Sequence, residues 1–314
     1  MQEITDIYNR NFKSLRISLL NRCNLSCTYC TMGEDSITDH TSIEVNNLLT
    51  IVEKLHSVLG LETVRLTGGE PLLYPHLPEV VKGIIQLGIN DIKLTTNGFL
   101  LERQAVELKE AGITSINVSL DALDENLFLL MTKRADVSRV LRGIEAALAV
   151  GVSVKINSVI MKGINENQIL PMLEYAFANK ISIRFLELMA MGHLHSNPYE
   201  YLFTEEEILN TIATKYSFTK KERKNSSTAN YWQTDAGHIF GIIANESEPF
   251  CKDCNRLRLD SEGNMYGCLS SNHPISLKNV ELKSELIDKL QQAMKQKQLL
   301  KFVGSDLSML QIGG

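Results

Sequence analysis

Short apolar or β-branched runs alternate with longer stretches of helical period over the first two thirds of the chain. The runs at 15–20, 63–67, 91–95, 115–120, 152–160 and 181–188 read as six strands. Between them, Val45, Leu48, Leu49, Val52 and Leu55 keep helical period behind Thr41 and Glu44, whose spacing predicts a capping box and a helix starting at Thr41. Comparable helices fit 77–87, 101–111, 137–150 and 166–178. Repeated strand–helix units predict an α/β fold, a parallel sheet covered by helices and open or rolled into a partial barrel. Six units are too few to close an eight-strand barrel.

The rhythm changes after about Asn197. A short helix capped at Thr204 and a polar stretch, 220–229, precede strands near 231–233, 238–243, 256–259 and 264–266. A last helix over 277–299 leads to Gly304 and the tail Met309-Leu310-Gln311-Ile312-Gly313-Gly314. The change divides the chain into a partial barrel, 1–196, and an α+β extension, 197–314.

Composition adds limits. The 314 residues are 44% hydrophobic and 22% charged, and no apolar run is long enough to span a bilayer, which predicts a soluble, cytoplasmic protein. The formal charge of -5 argues against a nucleic-acid partner held by a global basic field, while leaving room for a local cationic pocket.

All six cysteines fall into two triplets, Cys23, Cys27 and Cys30, then Cys251, Cys254 and Cys268. Three thiolates fill three of the four ligand positions of a 4Fe-4S cubane, so each triplet suits a cluster with one iron open to chemistry. A disulfide framework is the bland alternative, but it belongs mainly to small secreted domains, and the polar start MQEITDIYNR carries no signal segment. Zinc rivals iron at the second triplet, where Cys251-Lys252-Asp253-Cys254 has knuckle spacing and His273 would complete a Cys3His set with Cys268. The residues alone leave both metals open there.

Four strands carry a cation between apolar neighbours: Arg16, Arg65, Lys155 and Arg184. A buried cation is costly unless paired, so each either faces outward or meets a carboxylate such as Glu62 or Glu187. Four on neighbouring strands also fit a cationic lumen that takes a polyanion such as a triphosphate. Strand alternation sets Arg256 and Arg258 on one face beside the second triplet.

The first triplet lies in Arg22-Cys23-Asn24-Leu25-Ser26-Cys27-Thr28-Tyr29-Cys30, directly after the first strand, and Thr67-Gly68-Gly69-Glu70-Pro71 ends the second. Together these segments resemble the radical SAM superfamily. The resemblance implies an open iron that binds S-adenosylmethionine, with Gly68, Gly69 and Glu70 holding the methionyl amino group. It also implies that Tyr29, Ser119 and Met189 touch the cofactor, Met189 at the adenine. Paired glycines permit close backbone approach to a ligand, and a carboxylate can receive an ammonium.

With CKDCNRLRLDSEGNMYGC and the terminal Gly313-Gly314, the chain from its first strand to its last residue resembles the GTP 3',8-cyclase family of molybdenum cofactor biosynthesis. That resemblance implies an incomplete (β/α)6 TIM-type barrel whose α+β extension carries a second 4Fe-4S cluster, its open iron on the guanine. It implies a lyase with Arg16, Arg65, Thr95, Lys155, Arg184, Asn255, Arg256, Leu257 and Arg258 at the GTP. The catalytic set would be the first triplet, Arg256, Arg258 and the terminal Gly313 and Gly314, a tail otherwise read as an idle end or a diglycine for adenylation. Implied partners are a downstream cyclic pyranopterin monophosphate synthase and an external electron donor such as flavodoxin or ferredoxin, with room for a homodimer and none for nucleic acid or membrane. Thr63 stands where many members have lysine, Tyr74 where arginine is common, and Thr31-Met32 where Met-Pro is common. These departures leave open a paralogue acting on another nucleotide or a peptide. A zinc or electron-transfer protein is the non-catalytic alternative.

Overall fold

Each of the six predicted strands is two-faced, with leucine, isoleucine or valine on one side and small or charged residues on the other, so one face must be buried. The computed structural model describes residues 4–31, 40–134, 136–197 and 199–313. Its strands are β1 (Ser14–Ser18), β2 (Thr63–Thr67), β3 (Asp91–Thr96), β4 (Ser115–Ser119), β5 (Ser153–Ile160) and β6 (Ser182–Glu187). Then follow β7 (Phe218–Lys220), β8 (Asn230–Thr234), β9 (Ile239–Ile243), β10 (Arg256–Leu259), β11 (Asn264–Tyr266) and β12 (Ile275–Ser276). Helices return the chain between the first six, as parallel pairing requires.

One twelve-stranded sheet results, in the order β12-β11-β10-β1-β2-β3-β4-β5-β6-β9-β8-β7. The stretch from β10 to β9 is parallel throughout, and an antiparallel hairpin finishes each edge. The arc does not close. The residues after 196 therefore add a parallel strand to each side of the six-strand arc, within one continuous sheet. Leu15, Ile17, Val64, Leu66, Ile92 and Leu94 are wholly buried under the helices, in one core with Trp232, Phe240, Leu257 and Met265 from the extension.

Local signals were partly overruled. The helix expected from Thr41 begins at Val45, because the Thr41 N–H donates to Asn21 Oδ1 (2.8 Å) and its hydroxyl meets Ser261 (2.6 Å). Thr204 does form its capping box with Glu207 at the head of Glu205–Ala213. A helix at Glu125–Thr132, capped by Asp124, has no counterpart in the sequence reading, since its near-continuous apolar run hides the period. The last long helix is confined to Lys283–Lys295.

Candidate active site

The inner face of the arc encloses a cavity of ≈580 Å³ onto which all six cysteines open. Strand direction separates the triplets. The first follows the C-terminal end of β1, whereas Cys251 and Cys254 precede β10, whose Arg256 is level with Ser14 at the N-terminal end of β1. The five residues of β1 hold the two ends about 13 Å apart.

At the first end, Cys23 Sγ accepts from the Leu25 N–H (3.4 Å) and from Asn97 Nδ2 (3.7 Å). Burial pushes Cys23 up to about 12 and Cys30 up to about 11, and lifts Cys27 as well. Such thiols are neutral until a metal compensates their charge, which is how an iron cluster would be accommodated. The Tyr29 hydroxyl donates to Asp121 Oδ2 (2.9 Å), and Asp121 is itself held by the Val159 N–H (2.8 Å). Ser119 and Met189 line the same wall.

The glycines of Gly68-Gly69-Glu70 have a nearer reason than a ligand. A Cβ on Gly69 would lie 2.2 Å from the Arg22 carbonyl oxygen, and the Gly69 and Glu70 N–H groups donate to Leu20 and Arg22. The segment is pressed onto the backbone of the cysteine loop. Glu70 accepts from Leu72 N–H, Thr96 hydroxyl and Asn97 N–H at 2.6–2.9 Å, while burial pushes its carboxyl up to about 7. Its first task is to lock that turn to the end of β3.

At the other end, Lys297 Nζ reaches Cys254 Sγ (3.4 Å) and the Arg256 carbonyl. Burial opposes the Cys254 thiolate, yet Lys297 and Arg256 outweigh it and hold the thiol down at about 6. Arg10, paired with buried Asp6, donates to the Cys251 carbonyl (2.6 Å) and braces the ligand loop. His273 is exposed and takes no part in the cavity wall, so the Cys3His reading loses its fourth ligand. The six cysteines are all free thiols, unpaired by disulfides.

The expected cations point inward. Arg16, Arg65, Lys155, Arg184, Arg256 and Arg258 line the cavity with Thr95 and Asn255, joined by Lys93 and Lys297. Glu62 pairs instead with Lys13 on the surface, and Glu187 is engaged by Glu205, Glu246 and Ser247. The lining carboxylates Glu70, Asp121 and Glu187 are thus committed to protein donors, leaving the arginines short of counter-charge. Arg184 Nε and Nη2, Arg16 Nε and Arg256 Nη2 are buried without a hydrogen-bond partner. Burial lowers Arg65 and Arg258 to about 10. Leu257 departs from its expected place, because alternation along β10 turns its side chain into the core between the two arginines.

Gly313 lies inside. Its carbonyl accepts from Arg258 Nη1, and a Cβ on it would sit 2.5 Å from Thr67 Oγ1. Gly314 and Met32 lie outside the described residues. Tyr74 is buried with its hydroxyl on the Ile43 carbonyl (2.6 Å), so that departure serves the core. Asn97, Asp121, Lys93, Lys297 and Arg10 went unnoticed in the sequence. Only Lys93 carried a usable signal, an apolar-flanked cation like the four that were singled out.

Residues 17–176 match the Radical SAM superfamily profile and 181–301 the profile Molybdenum Cofactor Synthesis C. A GTP 3',8-cyclase of Staphylococcus epidermidis is 40% identical over 275 residues, 85% of this chain and 81% of that protein. One from Synechocystis sp. is 38% identical over 277 residues, 88% and 84% of the two chains. Among solved structures, Streptococcus suis SuiB bound to S-adenosylmethionine superposes with a TM-score of 0.66 at 16% identity, over 91% of this chain and 68% of SuiB. Native anSMEcpe with bound AdoMet gives 0.65 at 16%, over 91% and 82%. At that identity the likeness is one of fold.

Proposed function

This chain belongs to the GTP 3',8-cyclase family of the radical SAM superfamily, and from that premise we propose that it converts GTP to (8S)-3',8-cyclo-7,8-dihydroguanosine 5'-triphosphate, the first step of molybdenum cofactor biosynthesis. The observation that carries this reading is the placement of two separated thiol triplets on one cavity, with unneutralised cations between them. Cys23, Cys27 and Cys30 would hold a 4Fe-4S cluster, which would supply the one-electron reduction of S-adenosylmethionine that starts the radical chemistry on the GTP ribose.

The chain's own residues do the rest by position. Tyr29, fixed by Asp121, Ser119 and Met189 form the wall where the cofactor's adenosyl part belongs, and Glu70 sits at the methionyl end. Cys251, Cys254 and Cys268 would hold a second cluster that receives the guanine. Arg16, Arg65, Thr95, Lys155, Arg184, Asn255, Arg256 and Arg258 supply the positive surface for the triphosphate, as forked guanidiniums do for phosphate oxygens. Held between the two ends, carbon 3' and carbon 8 are brought together and water is kept from the radical. Gly313 closes the wall beside Arg258. An electron donor such as flavodoxin or ferredoxin, and a synthase that rearranges the product, complete the scheme.

Anaerobic turnover with GTP, S-adenosylmethionine and dithionite should give 5'-deoxyadenosine and the cyclised nucleotide together. 5'-Deoxyadenosine without a GTP-derived product would move the chain to a paralogous activity. The reconstituted protein should carry on the order of eight irons, and zinc in place of iron at the second triplet would remove the guanine site.

Lys297 offers a separate check on that triplet. Lys297→Met is expected to lose second-site iron to a chelator about tenfold faster, the scale of a lost outer-shell partner, while Lys297→Arg keeps it. Equal iron retention in all three proteins would make the lysine a packing residue.

A further inference from the structure

Resting on the GTP reading above, we infer that Lys93 is a phosphate-binding residue that holds the far end of the triphosphate. The argument begins with strand register. Arg258 is level with Arg16, Arg16 with Arg65, and Arg65 with Lys93, so four cations stand side by side across β10, β1, β2 and β3. Neighbouring strands are about 4.8 Å apart. Like charges directly opposite one another destabilise a sheet, and four in a row on an enclosed wall call for a polyanion running along them. Lys93 is the end of that row farthest from β10 and the second triplet, which places it at the phosphates most distant from the base.

The position is built. Lys93 Nζ donates to Asp91 Oδ2 (2.6 Å), and the Thr63 hydroxyl donates to the same oxygen (2.8 Å). Asp91 therefore fixes the ammonium against the lumen while using one of its three donors, leaving two for phosphate oxygens. Thr63 is on the same face two register rows below Arg65, level with Asp91. A cation absent from position 63 is thereby supplied across the strand boundary from position 93.

The test is anaerobic calorimetry on the full-length, cluster-loaded protein with GTP, GMP and S-adenosylmethionine. Lys93→Ala should weaken GTP about tenfold, the scale of one charge-assisted hydrogen bond, and leave GMP and S-adenosylmethionine unchanged. Adding Thr63→Lys to that variant should recover most of the lost GTP affinity. Wild-type GTP affinity in Lys93→Ala overturns the assignment, as does a double variant that binds S-adenosylmethionine normally yet regains no GTP. A wild-type protein that binds S-adenosylmethionine but no GTP overturns the substrate reading and this assignment with it.

Discussion

Replacing Arg184 by methionine is expected to move two properties in opposite directions, raising the thermal midpoint of the ligand-free protein by about 3 °C and weakening GTP about 100-fold. Arg184 is 8% exposed, with Nε and Nη2 lacking partners. Burial holds its pKa below the usual guanidinium range, only Tyr231 offsetting it. Its stem packs where a Cβ on Gly241, its register partner on β9, would come within 3.1 Å of Cγ. Methionine keeps that packing volume and removes the uncompensated charge, an exchange that stabilises by about 2 kcal/mol. The bound triphosphate then loses a buried charge partner, which costs about 3 kcal/mol. Thermal melts with and without GTP read both effects in one experiment. A lower midpoint in the ligand-free variant would show that Arg184 is satisfied by the protein itself.

Gly313→Val is expected to lower cyclised product by more than about 100-fold with the iron content intact. Gly313 has φ 74°, a region where a side chain costs about 1–2 kcal/mol. Its pocket against Thr67 and Ser18 also leaves no room for a Cβ. The segment must therefore withdraw, taking its carbonyl from Arg258 and opening the cavity to water. The Leu310 N–H, which points at Cys30, would shift with it. Product and 5'-deoxyadenosine are measured together, with limited proteolysis of the tail as a second readout. Unchanged turnover, or a tail equally protected in both proteins, would return these residues to an idle end.

Much of this protein was legible in one dimension. The six parallel strands appeared at nearly their observed positions because alternation of apolar and polar residues is a property of each strand alone. The cysteine spacing in Cys23-x3-Cys27-x2-Cys30 and the presence of a cation on β1, β2, β5 and β6 are likewise local, whereas the inward direction of those cations came from the sheet. Where a neighbour far along the chain competed for a side chain, the local signal gave the wrong answer. Thr41 would cap a helix but is claimed by Asn21 and Ser261.

What the sequence by itself determined was therefore the chemistry: which residues bear thiol and charge, and which strand each occupies. What only the tertiary structure decided was their arrangement. No local pattern says that β10 pairs parallel to β1, yet that pairing puts the two triplets at opposite ends of one cavity and aligns Arg258, Arg16, Arg65 and Lys93 into a row. The β10–β1 register comes from hydrogen bonds and packing between segments more than two hundred residues apart, and an interaction of that range leaves no periodicity in the chain to read.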